Sequence, residues 1–579
     1  MIRSARKIFI FLIFIYIMIF ILSLFIGRYI INIAEVFNLS KIDWQLEKDI
    51  ICNIRLPRAI VSSLAGISLS LSGLIYQEVF QNDLVSPDLL GVSQGAGVGA
   101  SIAIILGLSN FYIAFLSFIT GIFTVLFTVL ISNIFNNKSN ITLILSGIIV
   151  GGFMSSILTI IKYFVNPETQ LSTIVYWLMG SFANVTYKNI VFIFPVVIIL
   201  SIFLLFISHR INLIALGKEE TETKGINYIV YRNIIIFVAT ILTSTTVSFC
   251  GTIGWIGLIV PHIVKYLIGK NANKTIPLCA ICGAVFTLIA DVLSRTLTKS
   301  EIPISAITGI FGSIIFTILL FIRNNKYSYN INNRYSYKVL QEIFNKNTMV
   351  RQKYNEIDNH NTIIKLDKVY FKYNNKTNYT LYDILLTINK KDIILIYGNN
   401  GSGKTTLIKI MLGILKPIQG NVYLDNTEIS QLSLQDRSKI VSYVKQDFFN
   451  INNILVKDYL ILGMVNELKF YEKPTNEQIK KVEECASDFN ITKLLNKKFY
   501  EISGGQKQLV SICQAILQNS EVLVLDEPMS SLDSENQKLV IDIIIRLSKE
   551  YNKTIIFSTH NIAHKNIEGS KVLMLNSYE

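Results

Sequence analysis

Long apolar segments recur through the first 322 residues of the chain, and charged side chains are rare within them. These segments lie near 8–27, 58–76, 91–107, 111–134, 141–165, 189–208, 232–250, 254–269, 276–295 and 305–322. Each is close to the ~20 residues that an α-helix needs to cross the hydrocarbon of a bilayer. The pattern therefore predicts an all-α membrane domain of about ten helices over residues 1–322.

The residues around these segments predict an orientation. The chain begins MIRSARK, and basic residues recur in loops that follow an even number of predicted spans, as is typical of the cytoplasmic side of a membrane. The first apolar run is longer than the apolar part of a secretory signal, and no small-residue cleavage site follows it. We expect a retained first helix and an N-terminus in the cytoplasm.

The pattern changes after residue 322. Charge is thin before this point and reaches an ordinary frequency after residue 360, which predicts a soluble domain over 362–579. The stretch between them begins RNNKYSYNINNRYSYK and is rich in Asn, Tyr and basic residues. We interpret 323–361 as a cytoplasmic linker, with one short helix at 337–344, that tethers the two domains to each other.

Composition adds two constraints. The chain is 51% hydrophobic and 16% charged, with a formal net charge of +14. We attribute this positive charge to topology and anionic lipid rather than to nucleic acid, because the chain contains no nucleic-acid reader motif. Of its six cysteines, Cys279 and Cys282 alone have a metal-like spacing. A structural zinc site needs about four ligands, so we expect these two cysteines to pack on one helix face.

A phosphate-binding motif follows the first strong strand signal of the soluble domain. Residues 392–397 read DIILIY and predict a buried strand, and GNNGSGKT follows directly before a helical stretch. Backbone N–H groups of such a loop close around phosphates, the Lys404 ammonium reaches the β- and γ-phosphates, and the Thr405 hydroxyl binds Mg²⁺. The predicted nucleotide-binding loop comprises Gly398, Asn399, Asn400, Gly401, Ser402, Gly403, Lys404, Thr405 and Thr406.

Two carboxylates end a second predicted strand, EVLVLDE at 521–527. In a P-loop domain, Asp526 would hold the Mg²⁺ ion, and Glu527 would act as general base on the attacking water. The alternative interpretation is an acidic pair that only caps the end of a strand. The resemblance described next favours the catalytic interpretation.

Residues between these two strands resemble the signature loop of ABC ATPases. The chain reads EISGGQKQ there, with Ile502 where that family usually has leucine. The resemblance implies that this loop contacts the γ-phosphate of an ATP molecule held by a second subunit. The residues implied are Ser503, Gly504, Gly505 and Gln506.

Other marks of the ABC ATPase family appear in the usual order. Gln446, in SYVKQDF, matches the glutamine implied in Mg²⁺ binding and catalysis, and Asp533, in SLD, matches the D-loop. His560 matches the switch histidine, which contacts the γ-phosphate. Tyr373, in VYFKY, matches the aromatic residue that stacks on adenine, with Tyr370 as the alternative. The resemblance implies an α/β P-loop ATPase that uses ATP and Mg²⁺.

The membrane half resembles the FecCD-type permeases, which import ferric siderophores, haem and cobalamin. The resemblance rests on RLPRAIVSSLAG, SGLIYQ, NDLVSPDLLGVSQGAG, WLMGSF, INLIALG, GTIGWIGLIVPHI and ADVLSR…EIP. It implies ten helices per subunit, coupling helices at about 213–226, and a structural role for His262. It also implies that Arg55, Arg58 and Arg295 receive carboxylates from a substrate-binding protein. The alternative role for these arginines is anchoring at lipid headgroups.

The two resemblances together predict ATP-driven import of an iron chelate across a prokaryotic cytoplasmic membrane. A ferric siderophore is the first choice of substrate, and haem and cobalamin are the alternatives. Because permease and ATPase share one chain, a homodimer would supply both pairs, and a separate binding protein would deliver the substrate. A non-transporting sensor is disfavoured because all catalytic residue types are present. A multidrug exporter is disfavoured because that class has about six spans and long cytoplasmic helices.

Overall fold

The computed structural model describes residues 2–29, 44–135, 140–331, 361–373, 379–446, 454–468, 472, 474–530, 532–561 and 569–575. The chain forms two compact units. The first comprises Met1–Ile314 and Phe448–Leu517, and the second comprises Ile315–Asp447 and Gln518–Glu579. Part of the soluble region therefore belongs to the same unit as the membrane helices, and the predicted domain limits stay a prediction.

Helices dominate the N-terminal part of the chain. They are α1 (Ile2–Phe25), α2 (Trp44–Asp49), α3 (Leu56–Phe80), α4 (Val92–Ile105), α5 (Asn110–Ile134), α6 (Asn140–Phe164), α7 (Ser172–Leu178), α8 (Tyr187–Phe206), α9 (Ser208–Ile214), α10 (Lys218–Thr223), α11 (Tyr228–Cys250), α12 (Ile256–Ile268), α13 (Ala272–Thr296) and α14 (Ile304–Ile331). A π-helical turn, Ile50–Arg55, joins α2 to α3.

Each predicted apolar segment coincides with an apolar helix. Among the described residues, seven helices are long and apolar enough to cross a membrane. The segments predicted near 91–107, 254–269 and 305–322 correspond to shorter apolar helices at Val92–Ile105, Ile256–Ile268 and Ile304–Leu319. The predicted helical membrane domain is therefore confirmed as a fold class.

Helix α3 forms the centre of this helical part, and small residues let its neighbours come close. A Cβ atom on Gly66 would lie 2.1 Å from the carbonyl oxygen of Gly283 on α13. A Cβ atom on Gly73 would lie 1.9 Å from the carbonyl oxygen of Gly257 on α12. Only glycine leaves room for backbones at this separation, so these positions set the helix crossings.

Buried hydroxyl groups add hydrogen bonds across the same helices. The Ser68 hydroxyl on α3 donates to the carbonyl oxygen of Leu242 on α11 at 2.6 Å. The Ser70 hydroxyl donates to the carbonyl oxygen of Cys279 on α13 at 2.8 Å. Such bonds hold helices together where apolar burial distinguishes little between protein and lipid.

Helix α14 continues beyond the predicted end of the last span. It runs to Ile331, so the first residues of the predicted linker are helical. The helix predicted at 337–344 and the remainder of the linker lie outside the described residues. The linker's tethering role therefore stays a prediction.

The second unit contains two sheets. The strands are β1 (Thr362–Phe371), β2 (Leu381–Asn389), β3 (Ile393–Tyr397), β4 (Gln419–Leu424), β5 (Thr427–Glu428), β6 (Val441–Val444), β7 (Val522–Leu525), β8 (Thr554–Thr559) and β9 (Ser570–Met574). A parallel sheet has the order β6-β7-β8-β3-β9, and an antiparallel sheet has the order β2-β1-β4-β5. The two predicted strands before the P-loop and the acidic pair are confirmed as β3 and β7.

Helices accompany the sheets and complete the soluble region. Those of the second unit are α15 (Lys404–Met411), α16 (Leu434–Ile440) and α20 (Ser534–Lys549). Those grouped with the first unit are α17 (Val456–Ile461), α18 (Asn476–Asp488) and α19 (Gly504–Leu517). Because β3, β7 and β8 are parallel neighbours, the residues that follow their carboxyl ends meet at one edge of the sheet.

Candidate functional site

The P-loop lies between β3 and α15, where the sequence predicts it. Gly403 has a φ of 93° and precedes the first turn of α15. Glycine adopts this left-handed conformation without the steric cost that a Cβ atom brings. The Lys404 ammonium is buried and donates to the carbonyl oxygens of Gly398 at 2.8 Å and Asn399 at 3.1 Å. The lysine is therefore folded back over its own loop.

Glu527 gathers three of the predicted functional residues at the sheet edge. Lys404 Nζ lies 3.3 Å from Glu527 Oε1, and the Gln446 amide donates to Glu527 Oε2 at 2.9 Å. His560 Nδ1 lies 3.5 Å from the same Oε2 atom. Residues from three different parts of the sequence thus converge on the Glu527 carboxylate.

The neighbouring Asp526 carboxylate has the chemistry of a Mg²⁺ ligand. Among the residues that the structure describes, its buried Oδ2 atom has no hydrogen-bond partner, and the Thr405 hydroxyl lies beside the same carboxylate. Burial raises the pKa of Asp526 above its ordinary value, while hydrogen bonds from Ser558 and Thr405 oppose that rise. Carboxylate and hydroxyl oxygens are the ligands that Mg²⁺ prefers, so the residues present fit this ion.

The aromatic residue predicted to stack on adenine lies beside the P-loop helix. The Tyr373 hydroxyl and the Thr406 hydroxyl are 3.2 Å apart, and the Tyr373 ring is partly exposed. The alternative residue, Tyr370, packs edge-on against Tyr379 and Tyr382. The position next to the P-loop favours Tyr373.

The signature residues lie in the first unit, at the start of α19. The Ser503 hydroxyl accepts from the backbone N–H of Gln506 at 3.3 Å, and the Gln506 side chain accepts from the Ser503 N–H at 3.1 Å. This reciprocal capping leaves Ser503 and Gly504 exposed at a helix N-terminus. Asp533 caps α20 by accepting from the N–H of Asn536 at 2.9 Å. Their roles toward a second subunit stay predictions.

Sequence reasoning missed Ser558, which contacts both acidic residues. Its hydroxyl donates to Asp526 Oδ1 at 2.7 Å and accepts from the Glu527 N–H at 2.9 Å. The signal was a hydroxyl residue two positions before the switch histidine. Pairing between β7 and β8 could not be read from either motif alone.

The three arginines predicted to dock a binding protein are buried. Arg58 Nε lies 2.7 Å from Asp291, and Arg58 Nη1 lies 2.8 Å from Glu301. Arg295 Nε lies 3.6 Å from Asp291, and its Nη2 atom donates to a backbone carbonyl at 2.6 Å. Arg55 donates to three backbone carbonyl oxygens at the end of α1 and just beyond it. Their docking role stays a prediction, and it requires these contacts to open or exchange.

Asp291 and Glu301 were also missed as functional candidates. Both lie within the motif ADVLSR…EIP, but nothing in the sequence connects them to Arg58, which precedes Glu301 by 243 residues. The signal was an aspartate within a predicted span, since ionisable groups in such segments are expensive unless they are paired.

Within the first unit, the helices α9, α10 and α13 contact the 454–517 segment of the soluble region. Lys274 Nζ at the start of α13 lies 3.3 Å from Asp458 Oδ2 on α17. The Arg210 guanidinium donates to the carbonyl oxygen of Leu468 at 3.3 Å. Burial, followed by the nearby Glu220 carboxylate, raises the pKa of Tyr459 well above its ordinary value. The predicted coupling segment at 213–226 therefore includes one residue of this contact, and Lys274 lies outside it.

Comparison with known proteins places both halves of the chain. Residues 14–322 match the FecCD transport family, and residues 381–530 match the ABC transporter family. The molybdate import system permease protein MolB of Haemophilus influenzae is 33% identical over 310 residues, which cover 52% of this chain and 91% of that protein. An iron chelatin transport system permease protein of Helicobacter pylori is 38% identical over 272 residues, covering 47% of this chain and 82% of that protein.

A solved structure is also similar to this chain. It is described as an inward-facing conformation of a metal-chelate type ABC transporter, with 33% sequence identity and a TM-score of 0.51. The match covers 55% of this chain and 99% of that one. The same chain carries an ABC transporter domain, which hydrolyses ATP to drive import, and its helical part is a multi-pass membrane protein. Because the FecCD match takes in more than half of the sequence, the chain belongs to the FecCD transport family.

Proposed function

We propose that this chain imports an iron chelate, with a ferric siderophore as the first candidate, and works as a homodimer in a prokaryotic cytoplasmic membrane. The main support for ATP hydrolysis as the energy source is the convergence of Lys404, Gln446 and His560 on Glu527. The iron chelatin system named for the Helicobacter pylori relative supports the choice of substrate. Haem and cobalamin are the alternatives in the same family, and the Haemophilus influenzae relative adds molybdate.

The residues at the sheet edge would divide the work of ATP hydrolysis. Lys404 would leave its two loop carbonyls and bind the β- and γ-phosphates, while Tyr373 stacks on the adenine ring. Glu527 would accept a proton from the attacking water, with Gln446 orienting its carboxylate and His560 contacting the γ-phosphate. Mg²⁺, held by Thr405 and Asp526, would neutralise developing phosphate charge.

A second copy of the chain would complete each ATP site. Ser503 and Gly504 are exposed at the N-terminus of α19, where backbone N–H groups favour an anion. ATP bound at Lys404 of one copy would be contacted by Ser503 of the other. Closure of the two ATPase regions would move the helices α10 and α13, because Glu220 and Lys274 on these helices contact α17.

The catalytic assignment is tested with Glu527→Gln in the full chain reconstituted in liposomes. We expect ATP to bind normally and turnover to fall by at least ~100-fold, because a general base contributes about that much. Glu550→Gln is the matched control, since Glu550 is exposed at the end of α20. Near-normal turnover in Glu527→Gln would remove the assigned base.

The substrate is tested in the same liposomes with ferric siderophore, haem, cobalamin and molybdate, each with its candidate binding protein. We expect a loaded iron-chelate binding protein to stimulate ATP hydrolysis and uptake. Stimulation by molybdate alone would refute the iron-chelate assignment and leave the ATP-driven importer in place.

The docking role of Arg58 is tested by neutralising Glu301, which would compete with a binding-protein carboxylate for Arg58. Glu301→Gln removes one charge that holds Arg58, at a position whose side chain is 27% exposed. If a binding-protein carboxylate takes the place of Glu301, affinity for the binding protein should rise a few-fold, which is about the contribution of one surface ion pair to binding. Lys299→Gln alters an exposed charge in the same loop and serves as control. Unchanged affinity in Glu301→Gln would favour a purely structural role for Arg58.

A further inference from the structure

Ser558 occupies a buried position directly behind the two acidic residues of the ATP site. It lies near the end of β8, and neither Ser558 nor Asp526 has exposed surface, while Glu527 is 7% exposed. A buried hydroxyl at this place must satisfy its hydrogen bonds with protein groups. The groups that it contacts are therefore informative about its role.

The register of the parallel sheet brings Ser558 to Asp526. Leu525, the last residue of β7, pairs with Phe557 on β8. Asp526 follows Leu525 directly, and Ser558 follows Phe557 directly. The acidic pair at the end of β7 therefore lies beside the serine. The hydroxyl donates to Asp526 Oδ1 at 2.7 Å and accepts from the backbone N–H of Glu527 at 2.9 Å.

The backbone at Glu527 needs such support. Its φ is 47°, a left-handed conformation that costs a non-glycine residue conformational free energy. The Ser558 hydroxyl holds the N–H side of this residue, and the Ser530 hydroxyl donates to the Glu527 carbonyl oxygen at 3.0 Å. The turn points the Glu527 side chain toward Lys404 and Gln446 instead of continuing the strand.

We propose that Ser558 is a positioning residue for ATP hydrolysis, whose single hydroxyl fixes the Asp526 carboxylate and the Glu527 backbone in the orientations that face the nucleotide. The inference rests on the proposed roles of Asp526 and Glu527. Alanine at this position leaves a buried N–H group and a carboxylate oxygen without their partner, and a hydrogen bond to a charged group corresponds to a factor of roughly 10 to 100.

The test compares Ser558→Ala, Ser558→Thr and Ser442→Ala in the full chain in detergent. Ser442 is the matched control, because it is a buried serine of the same sheet that exchanges hydrogen bonds with Ser520 and the Val522 carbonyl, away from the acidic pair. Binding of a fluorescent ATP is measured with EDTA and again with Mg²⁺. The rate of ATP hydrolysis at saturating Mg-ATP is measured in parallel.

We expect Ser558→Ala to bind nucleotide in EDTA as the unmodified protein does, since the P-loop is intact. The gain in affinity on adding Mg²⁺ should shrink by roughly 10-fold, and kcat should fall by roughly 10- to 100-fold. Ser558→Thr retains the hydroxyl and should restore both. Ser442→Ala should change the melting temperature without changing either quantity.

The same measurements distinguish a wrong role for Ser558 from a wrong role for Glu527. Normal kcat and a full Mg²⁺ gain in Ser558→Ala, with Glu527→Gln stalled, would overturn the positioning role and leave the proposed base in place. A threonine variant that melts normally but is as slow as alanine would also overturn it. Near-normal turnover of Glu527→Gln would instead overturn the proposed function of that residue.

Discussion

In the arginine cluster, formed by Arg58, Arg295, Asp291 and Glu301, replacing Asp291 should cost more stability than replacing the other carboxylate. Its Oδ1 atom lies 2.7 Å from Arg58, its Oδ2 atom lies 3.6 Å from Arg295, and its side chain is only 1% exposed. Asp291→Asn keeps the shape of the side chain and removes the charge that both arginines face. Breaking a buried ion pair by removing one partner costs about 3–5 kcal/mol, because the remaining charge stays buried.

The structure also predicts the order of effects within the cluster. Glu301 contacts Arg58 at 2.8 Å, but its side chain is 27% exposed, so water screens the interaction. Glu301→Gln should therefore cost only about 0–1 kcal/mol. Combining Arg58→Met with Asp291→Asn should be less harmful than the sum of the single changes, since the two side chains share one interaction.

The assay is the thermal unfolding of the detergent-solubilised chain, followed by the loss of monodisperse protein. Asp291→Asn should lower the melting temperature by roughly 3–7 °C. Asp49→Asn, which alters an exposed hydrogen bond to Asn53, should lie within about 1 °C of the unmodified chain. A melting temperature for Asp291→Asn as high as that of Glu301→Gln would refute the claim that Asp291 neutralises buried charge.

Three further predictions concern the Lys274–Asp458 contact, the buried Lys224 side chain and the ATP sites. Lys274→Glu should uncouple ATP hydrolysis from uptake in liposomes, and adding Asp458→Lys should restore coupling, because the reversed pair can reform the 3.3 Å contact; uptake that stays low in the double variant would contradict this pairing. Burial lowers the pKa of Lys224 to about 8, so the folded state binds fewer protons than the unfolded state between this value and ~10.4. Unfolding should therefore become harder as pH rises through this window, and Lys224→Met should raise stability at pH 7 by roughly 2–4 kcal/mol and remove the pH dependence; a pH profile shared by both proteins would show that Lys224 is not its source. A dimer of one Lys404→Ala chain and one Ser503→Glu chain should retain one working ATP site if sites form between copies, whereas loss of all ATPase activity would mean that each site lies within one copy.

The ATPase half could be predicted from the sequence because its chemistry depends on residues that are close together along the chain. A P-loop works through consecutive backbone N–H groups followed by Lys404 and Thr405, so its spacing is contained in one short stretch. The membrane half was readable for a different reason, since the bilayer demands apolar segments of a set length. The short helices α4, α12 and the apolar part of α14 were found by the same rule, although they are shorter than a full span.

Contacts between distant residues were not readable in this way. The docking role of Arg55, Arg58 and Arg295 was predicted from the resemblance to FecCD-type permeases, and that resemblance did not show that Arg58 contacts Asp291, 233 residues away and buried. Ser558 was overlooked for the same reason, since its role depends on which strand lies next to β8. The Lys274 contact was overlooked because the coupling segment was placed by resemblance alone.

The sequence by itself determined the membrane-spanning helices, the P-loop ATPase and the identity of most groups that meet at the ATP site. These properties depend on hydrophobic length and on residues that act within one turn or one strand end. Only the tertiary structure decided which charges are neutralised, which hydroxyl holds the acidic pair and which helices contact α17. Those outcomes depend on helix crossings, set by close glycines such as Gly66 and Gly283, and on strand register, and both bring together residues whose separation along the chain carries no signal.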